Sequence, residues 1–191
     1  MAGLKALAKD TAIYGLSSIV GRFLNYLLVP LYTATLSAAS GGYGVITNVY
    51  AYTALLLVIL TYGMETTFFR FANKEGEDPR RVYSTALMAV GFTSLVFIVL
   101  VLTFISPISA AMGYAEHPSY VWVMAVTVAL DAFQCIPFAY LRYKKRPVKF
   151  AALKLANIVM SIALNLVFFL ALPAWYESTG GDGFVSKIYS P

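Results

Sequence analysis

Charge is scarce in this sequence. Only 12% of its 191 residues are Asp, Glu, Lys or Arg, against about 25% in an ordinary soluble domain. There is one cysteine, Cys135, so no internal disulfide can form and the chain carries no redox-compartment signal. There is one histidine, His117, too far along the chain from Cys135 for the two to make a metal-ligand cluster. No phosphate-cradling P-loop, nucleophile elbow or zinc-protease helix occurs, so nucleotide hydrolysis and the common hydrolytic chemistries lack the residues they need. The reading is of a non-enzyme with no catalytic residues, no cofactor and no metal.

Apolar length is what the chain has in quantity. Hydrophobic residues make up 60% of it. A chain of this size could form one soluble domain, but its apolar residues come in blocks of about twenty or more, enough to cross ~30 Å of hydrocarbon at 1.5 Å per residue. Five blocks cover about 11–36, 44–69, 85–105, 120–141 and 150–172. The stretches between them, Ser37 to Tyr43, Ala72 to Val82, Pro107 to Ser119 and Arg142 to Lys149, are short enough to make neighbouring helices antiparallel. No irregular backbone then lies in lipid. The expected fold is all-α, a polytopic transmembrane bundle.

The few charges are placed unevenly. Lys5 and Lys9 precede the first block, Arg70, Lys74, Arg80 and Arg81 follow the second, and Arg142, Lys144, Lys145, Arg146 and Lys149 follow the fourth, with Lys154 just inside the fifth. Alternating spans put these 12 of the 14 Lys and Arg on one side, while the loops after the first and third blocks hold none. By the positive-inside rule the amino terminus is cytoplasmic. The net charge of +5 is then a topology signal rather than a nucleic-acid footprint, with anionic headgroups as a secondary partner. The first block is too long, and with Arg22 and Asn25 too polar, for a signal peptide, whose apolar core runs about 7–15 residues.

Two ions are left at mid-depth, where an ionised side chain costs at least ~2.5–3.5 kcal/mol. Arg22 lies about eleven residues, roughly 16 Å, into the first block, and Asp131 about as far into the fourth from the other side. Each belongs to a polar stripe at helical spacing: Thr11, Tyr14, Ser18, Arg22 and Asn25; Thr127, Asp131 and Gln134; and, in the fifth block, Lys154, Asn157, Ser161 and Asn165. These three helices are expected to share a polar interior, and the third, almost wholly apolar, to face lipid. Bland readings stand beside this one. Asn157, Ser161, Asn165 and Gln134 also suit helix-to-helix hydrogen bonds. Arg22 and Asp131 also suit a structural ion pair, and Lys154 can snorkel to the surface. Glu65 and Arg70, near the cytoplasmic end of the second block, fit an interfacial anchor or a gate equally. Pro30 and Pro137 are expected to interrupt the first and fourth helices.

The stretch Leu7-Ala8-Lys9-Asp10-Thr11-Ala12-Ile13-Tyr14-Gly15-Leu16-Ser17, with Arg22-Phe23 and Val29-Pro30-Leu31-Tyr32-Thr33, resembles the opening helix of bacterial polysaccharide exporters. Tyr43-Gly44, Tyr62-Gly63-Met64-Glu65 and Phe69-Arg70-Phe71 continue the resemblance. So do Ile136-Pro137-Phe138-Ala139-Tyr140-Leu141-Arg142 and Lys145-Arg146-Pro147-Val148-Lys149-Phe150. These exporters are lipid-linked oligosaccharide flippases of the MOP superfamily, which also holds the MATE drug exporters. The resemblance implies a MATE-like fold of two similar lobes around a cavity that opens alternately to either side. It implies a cargo of undecaprenyl-diphosphate-linked oligosaccharide carried from the cytoplasmic to the periplasmic leaflet of the inner membrane, for surface polysaccharides such as lipopolysaccharide. Residues 1–191 would be part of the first lobe, with a sixth span truncated near Ser190-Pro191 and the second lobe as the missing partner. By that analogy Arg22 contacts the diphosphate, and Asn25, Ser18, Asn157 and Asn165 are substrate-binding candidates. Asp131 and Glu65 are candidate coupling sites for H+ or Na+. The alternatives are a MATE-type multidrug exporter and a non-transporting membrane scaffold subunit.

Overall fold

The computed structural model describes residues 11–16, 19–20, 23–24, 26–35 and 42–178, without the side chains of 42 and 176–178. Every regular element among them is helical. Downstream of helical residues 11–16 come α1 (Leu28–Thr35), α2 (Gly42–Thr61), α3 (Met64–Ala72), α4 (Pro79–Thr103), α5 (Ile105–Ala111) and α6 (Pro118–Tyr143). These are followed by α7 (Pro147–Leu166), a π-helical turn (Val167–Ala171) and α8 (Leu172–Ser178). Four stretches, Tyr43–Ala72, Pro79–Thr103, Pro118–Tyr143 and Pro147–Trp175, are long and apolar enough to cross a membrane. The chain is an all-α polytopic bundle. The expected first span lies partly, and the expected sixth wholly, outside the described residues.

Helix boundaries follow local chemistry more than apolar length. The expected loop 72–82 gives up its last residues to α4, because Asp78 caps the helix, its side chain accepting from the Arg80 amide at 2.9 Å, and Pro79 opens it. Proline suits this first position, where its missing N–H would have no partner anyway. Pro118 and Pro147 open α6 and α7 in the same way. The expected loop 107–119 is helical up to Ala111, since Pro107 falls in the first turn of α5, where the fold tolerates it. The second block is not one helix. Tyr62 (φ 32°) and Gly63 (φ 70°) take left-handed backbone and end α2 before α3 begins. Pro137, expected to interrupt its helix, lies inside an unbroken α6. The fifth span does not end at Leu172 but continues helical to Ser178.

The chain divides into two compact units, residues 44–146 and residues 1–43 with 147–191. In unit 44–146, α6 buries Val121, Met124, Ala125, Val128, Ala129, Ala132, Ile136 and Ala139, a single face at i, i+3 and i+4 spacing. Half of these are alanines, which let helix backbones approach closely. The facing residues of α4, Ala86, Val90, Ser94 and Val101, are buried at matching intervals. Gly91 belongs to the same close packing, since a Cβ there would stand 3.3 Å from the Phe133 ring. The third span is therefore not wholly outward. One side pairs with α6, and only the other, with Met88, Phe92, Leu95 and Val99, is exposed. Apolar composition cannot separate a lipid-facing side from a helix-facing one, because both are apolar.

Candidate functional site

In unit 1–43 with 147–191, Asn157, Ser161 and Asn165 repeat every four residues and share one face of α7. Asn165 accepts a hydrogen bond from the Tyr32 hydroxyl of α1 through Oδ1 at 2.7 Å, and its Nδ2 donates to the Ser161 carbonyl at 2.8 Å. The pairing is continued by Tyr32 against Phe169, edge to face at 5.2 Å between centroids. Asn165 thus joins α1 to α7, an interhelical contact of the kind worth ~0.6 kcal/mol in a bilayer. Asn157 is exposed on the same stripe. Lys154 holds its ammonium 5.5 Å over the Phe150 ring, which also meets Tyr14 edge to face at 5.1 Å. Ser18, Arg22 and Asn25, the first-helix members of the candidate site, lie outside the described residues or side chains.

The π-helical turn at Val167–Ala171 has no forerunner in the apolar pattern. Its cause stands two residues on. Pro173 has no N–H for the Phe169 carbonyl and its ring crowds that carbonyl. The helix widens instead, and the Leu172 amide reaches back five residues to the Val167 carbonyl.

In unit 44–146 the stripe Thr127, Asp131 and Gln134 lies on the side of α6 away from its buried face. Thr127 turns its hydroxyl to the Val123 carbonyl at 2.9 Å and so satisfies itself within the helix. Asp131 is exposed and has no hydrogen-bond or ion-pair partner among the described residues.

Glu65 is engaged. In the first turn of α3 its carboxylate accepts a hydrogen bond from, and pairs with, the guanidinium of Arg142 at the end of α6. The guanidinium carbon also stands 5.6 Å over the Phe69 ring. The far end of α3 is held as well, where the Tyr143 hydroxyl donates to the Ala72 carbonyl at 3.1 Å and satisfies one of the open carbonyls that end a helix. Between these two ties sits Phe68, fully buried, with its ring 5.6–6.4 Å from those of Phe69, Tyr83, Tyr140 and Tyr143. Arg70, taken with Glu65 as an anchor or gate, is exposed. Residues 68, 69, 83, 140 and 143 come from three separate stretches of the sequence, so no local pattern shows them as a cluster.

Among the described residues no group of three His, Cys, Asp or Glu side chains is placed to hold a metal ion. Against known proteins, no curated sequence and no solved structure matches the chain. A family model described as "Polysaccharide biosynthesis protein" matches residues 7–188. Four apolar spans suit a membrane component of that process, and the chain, matched along nearly its whole length, belongs to the polysaccharide biosynthesis protein family.

Proposed function

We propose that the chain forms most of one lobe of a flippase that carries undecaprenyl-diphosphate-linked oligosaccharide from the cytoplasmic to the periplasmic leaflet of a bacterial inner membrane. The observation that carries the reading is the family match over residues 7–188 on a chain with four apolar spans. The clustering of 12 of 14 Lys and Arg on one side supports a cytoplasmic amino terminus. A second lobe of the same protein completes the cavity.

In this reading Arg22 meets the diphosphate, because a guanidinium offers a planar fork of donors to phosphate oxygens. Ser18, Asn25 and Asn157 supply hydrogen bonds to the cargo, and Asn165 does so in exchange for its bond to Tyr32. Asp131 is the first candidate for the H+ or Na+ that drives the cycle, since no described residue neutralises it. Glu65 can serve only when its pair with Arg142 opens.

The test is complementation of a host that lacks its own flippase, with the two-lobed protein carrying Arg22→Ala or Arg22→Lys. Surface polysaccharide should fall sharply with Ala and recover in part with Lys. Normal polysaccharide from Arg22→Ala, at normal protein levels, removes the diphosphate role.

A further inference from the structure

α3 and α4 do not close against each other along their whole length. A cavity of about 360 Å³ lies between them, within the range of about 300–1,000 Å³ typical of small-ligand pockets. Its walls are apolar, with Phe71 from α3 and Val82, Ala86 and Ala89 from α4. Two threonine hydroxyls line it, and Thr67 already donates its own to the Gly63 carbonyl. The charged groups stand at one end, Arg81 and Glu77. Lys74 lies 3.9 Å from the Glu77 carboxylate and 5.8 Å from the centre of the Phe71 ring. Lys74 matches Glu77 and the Arg80 amide of α4 takes up Asp78, while Arg81 has no ion-pair partner among the described residues.

The polarity has a direction. Arg81 is in the first turn of α4, and Ala89 lies eight residues on, about 12 Å along the axis. Because α4 is an apolar span that begins at Pro79, the charged mouth is at a membrane surface and the apolar walls run into the hydrocarbon. The Asp78 cap already answers the α4 dipole, so an anion arriving at the mouth meets Arg81.

We infer that this groove binds an anionic phospholipid, with one acyl chain along Phe71, Val82 and Ala89 and the phosphate at Arg81. The shape alone would take any alkyl chain; the cation at the mouth selects the acidic headgroup. The site needs only that this end of the bundle meet a membrane surface, on either side, so it stands apart from the cargo assigned above.

The experiment is native mass spectrometry of the whole chain in detergent, delipidated and then titrated with phosphatidylglycerol or phosphatidylethanolamine. Wild type should bind phosphatidylglycerol about fivefold more tightly, the contribution of one basic residue near a bilayer. Arg81→Gln should erase that preference, while Lys144→Gln, a cation stacked on Tyr140 and Tyr143 instead, should keep it. Ala89→Phe should fill the groove and weaken both lipids at least severalfold. If that variant loses its helical signal, Phe71→Ala removes an exposed wall instead and should weaken both lipids too. Equal binding of the two lipids by wild type, or equal losses from Arg81→Gln and Lys144→Gln, overturns the inference. So does undecaprenyl phosphate displacing phosphatidylglycerol at equal concentration in wild type but not in Ala89→Phe, for the groove would then hold a prenyl chain.

Discussion

Replacing Arg142 with Gln is expected to free the first turn of α3 from α6, and the structure bounds the cost. The side chains of Arg142 and Glu65 are 34% and 39% exposed, so water screens the pair, and the ion pair itself is worth ~0.5–1 kcal/mol. Arg142 also loses its place over Phe69, 5.6 Å from the ring centre, for another ~0.5–1 kcal/mol. Arg142→Gln should therefore cost ~1–2 kcal/mol and Glu65→Gln ~0.5–1 kcal/mol. The double variant should cost less than the sum, leaving a coupling energy of ~0.5–1 kcal/mol. The assay is unfolding of the four proteins by dodecyl sulfate in mixed micelles, followed by circular dichroism. Strictly additive costs would refute the pair as a tie between α3 and α6. Equal costs for the two single variants would refute the contribution of Phe69.

Phe68→Ala should be far more damaging, ~3–5 kcal/mol in the same unfolding assay, because the ring is fully buried among four others. Gly91→Leu should cost ~1–3 kcal/mol by overpacking against Phe133, and Phe133→Ala should restore most of that loss in the melting temperature. Lys145→Gly should stabilise by ~1 kcal/mol, since Lys145 holds a left-handed backbone (φ 51°) in the connection from α6 to α7. In the two-lobed protein, Asp131→Asn should abolish gradient-dependent transport in a vesicle flux assay; undiminished flux would remove Asp131 as the coupling site.

Hydrophobic length made the spans at Pro79–Thr103, Pro118–Tyr143 and Pro147–Trp175 legible, because crossing ~30 Å of lipid leaves a long, unbroken signature. It could not place their ends, which depend on single groups such as the Asp78 cap and the prolines beside it. The Asp78-Pro79 pair was a readable start signal that the apolar count passed over. The break at Tyr62–Gly63 was hidden because apolar residues continue through it into Met64 and Phe68. Among the candidate site residues, the stripe of Asn157, Ser161 and Asn165 follows from helical period alone. That Asn165 would be taken up by Tyr32, and Glu65 by Arg142, depends on pairings 133 and 77 residues apart, which no local pattern encodes.

The three prolines that open α4, α6 and α7 act on these helices at their amino ends. A helix cannot grow backward through a proline without losing a hydrogen bond and meeting the ring. Each start is therefore pinned, and α6 is stopped at its far end too, since the left-handed Lys145 and then Pro147 follow Tyr143. In a bilayer of different thickness these rods cannot grow through their prolines, and tilting or fraying at the far end takes up the difference. The entrance to each rod stays in register.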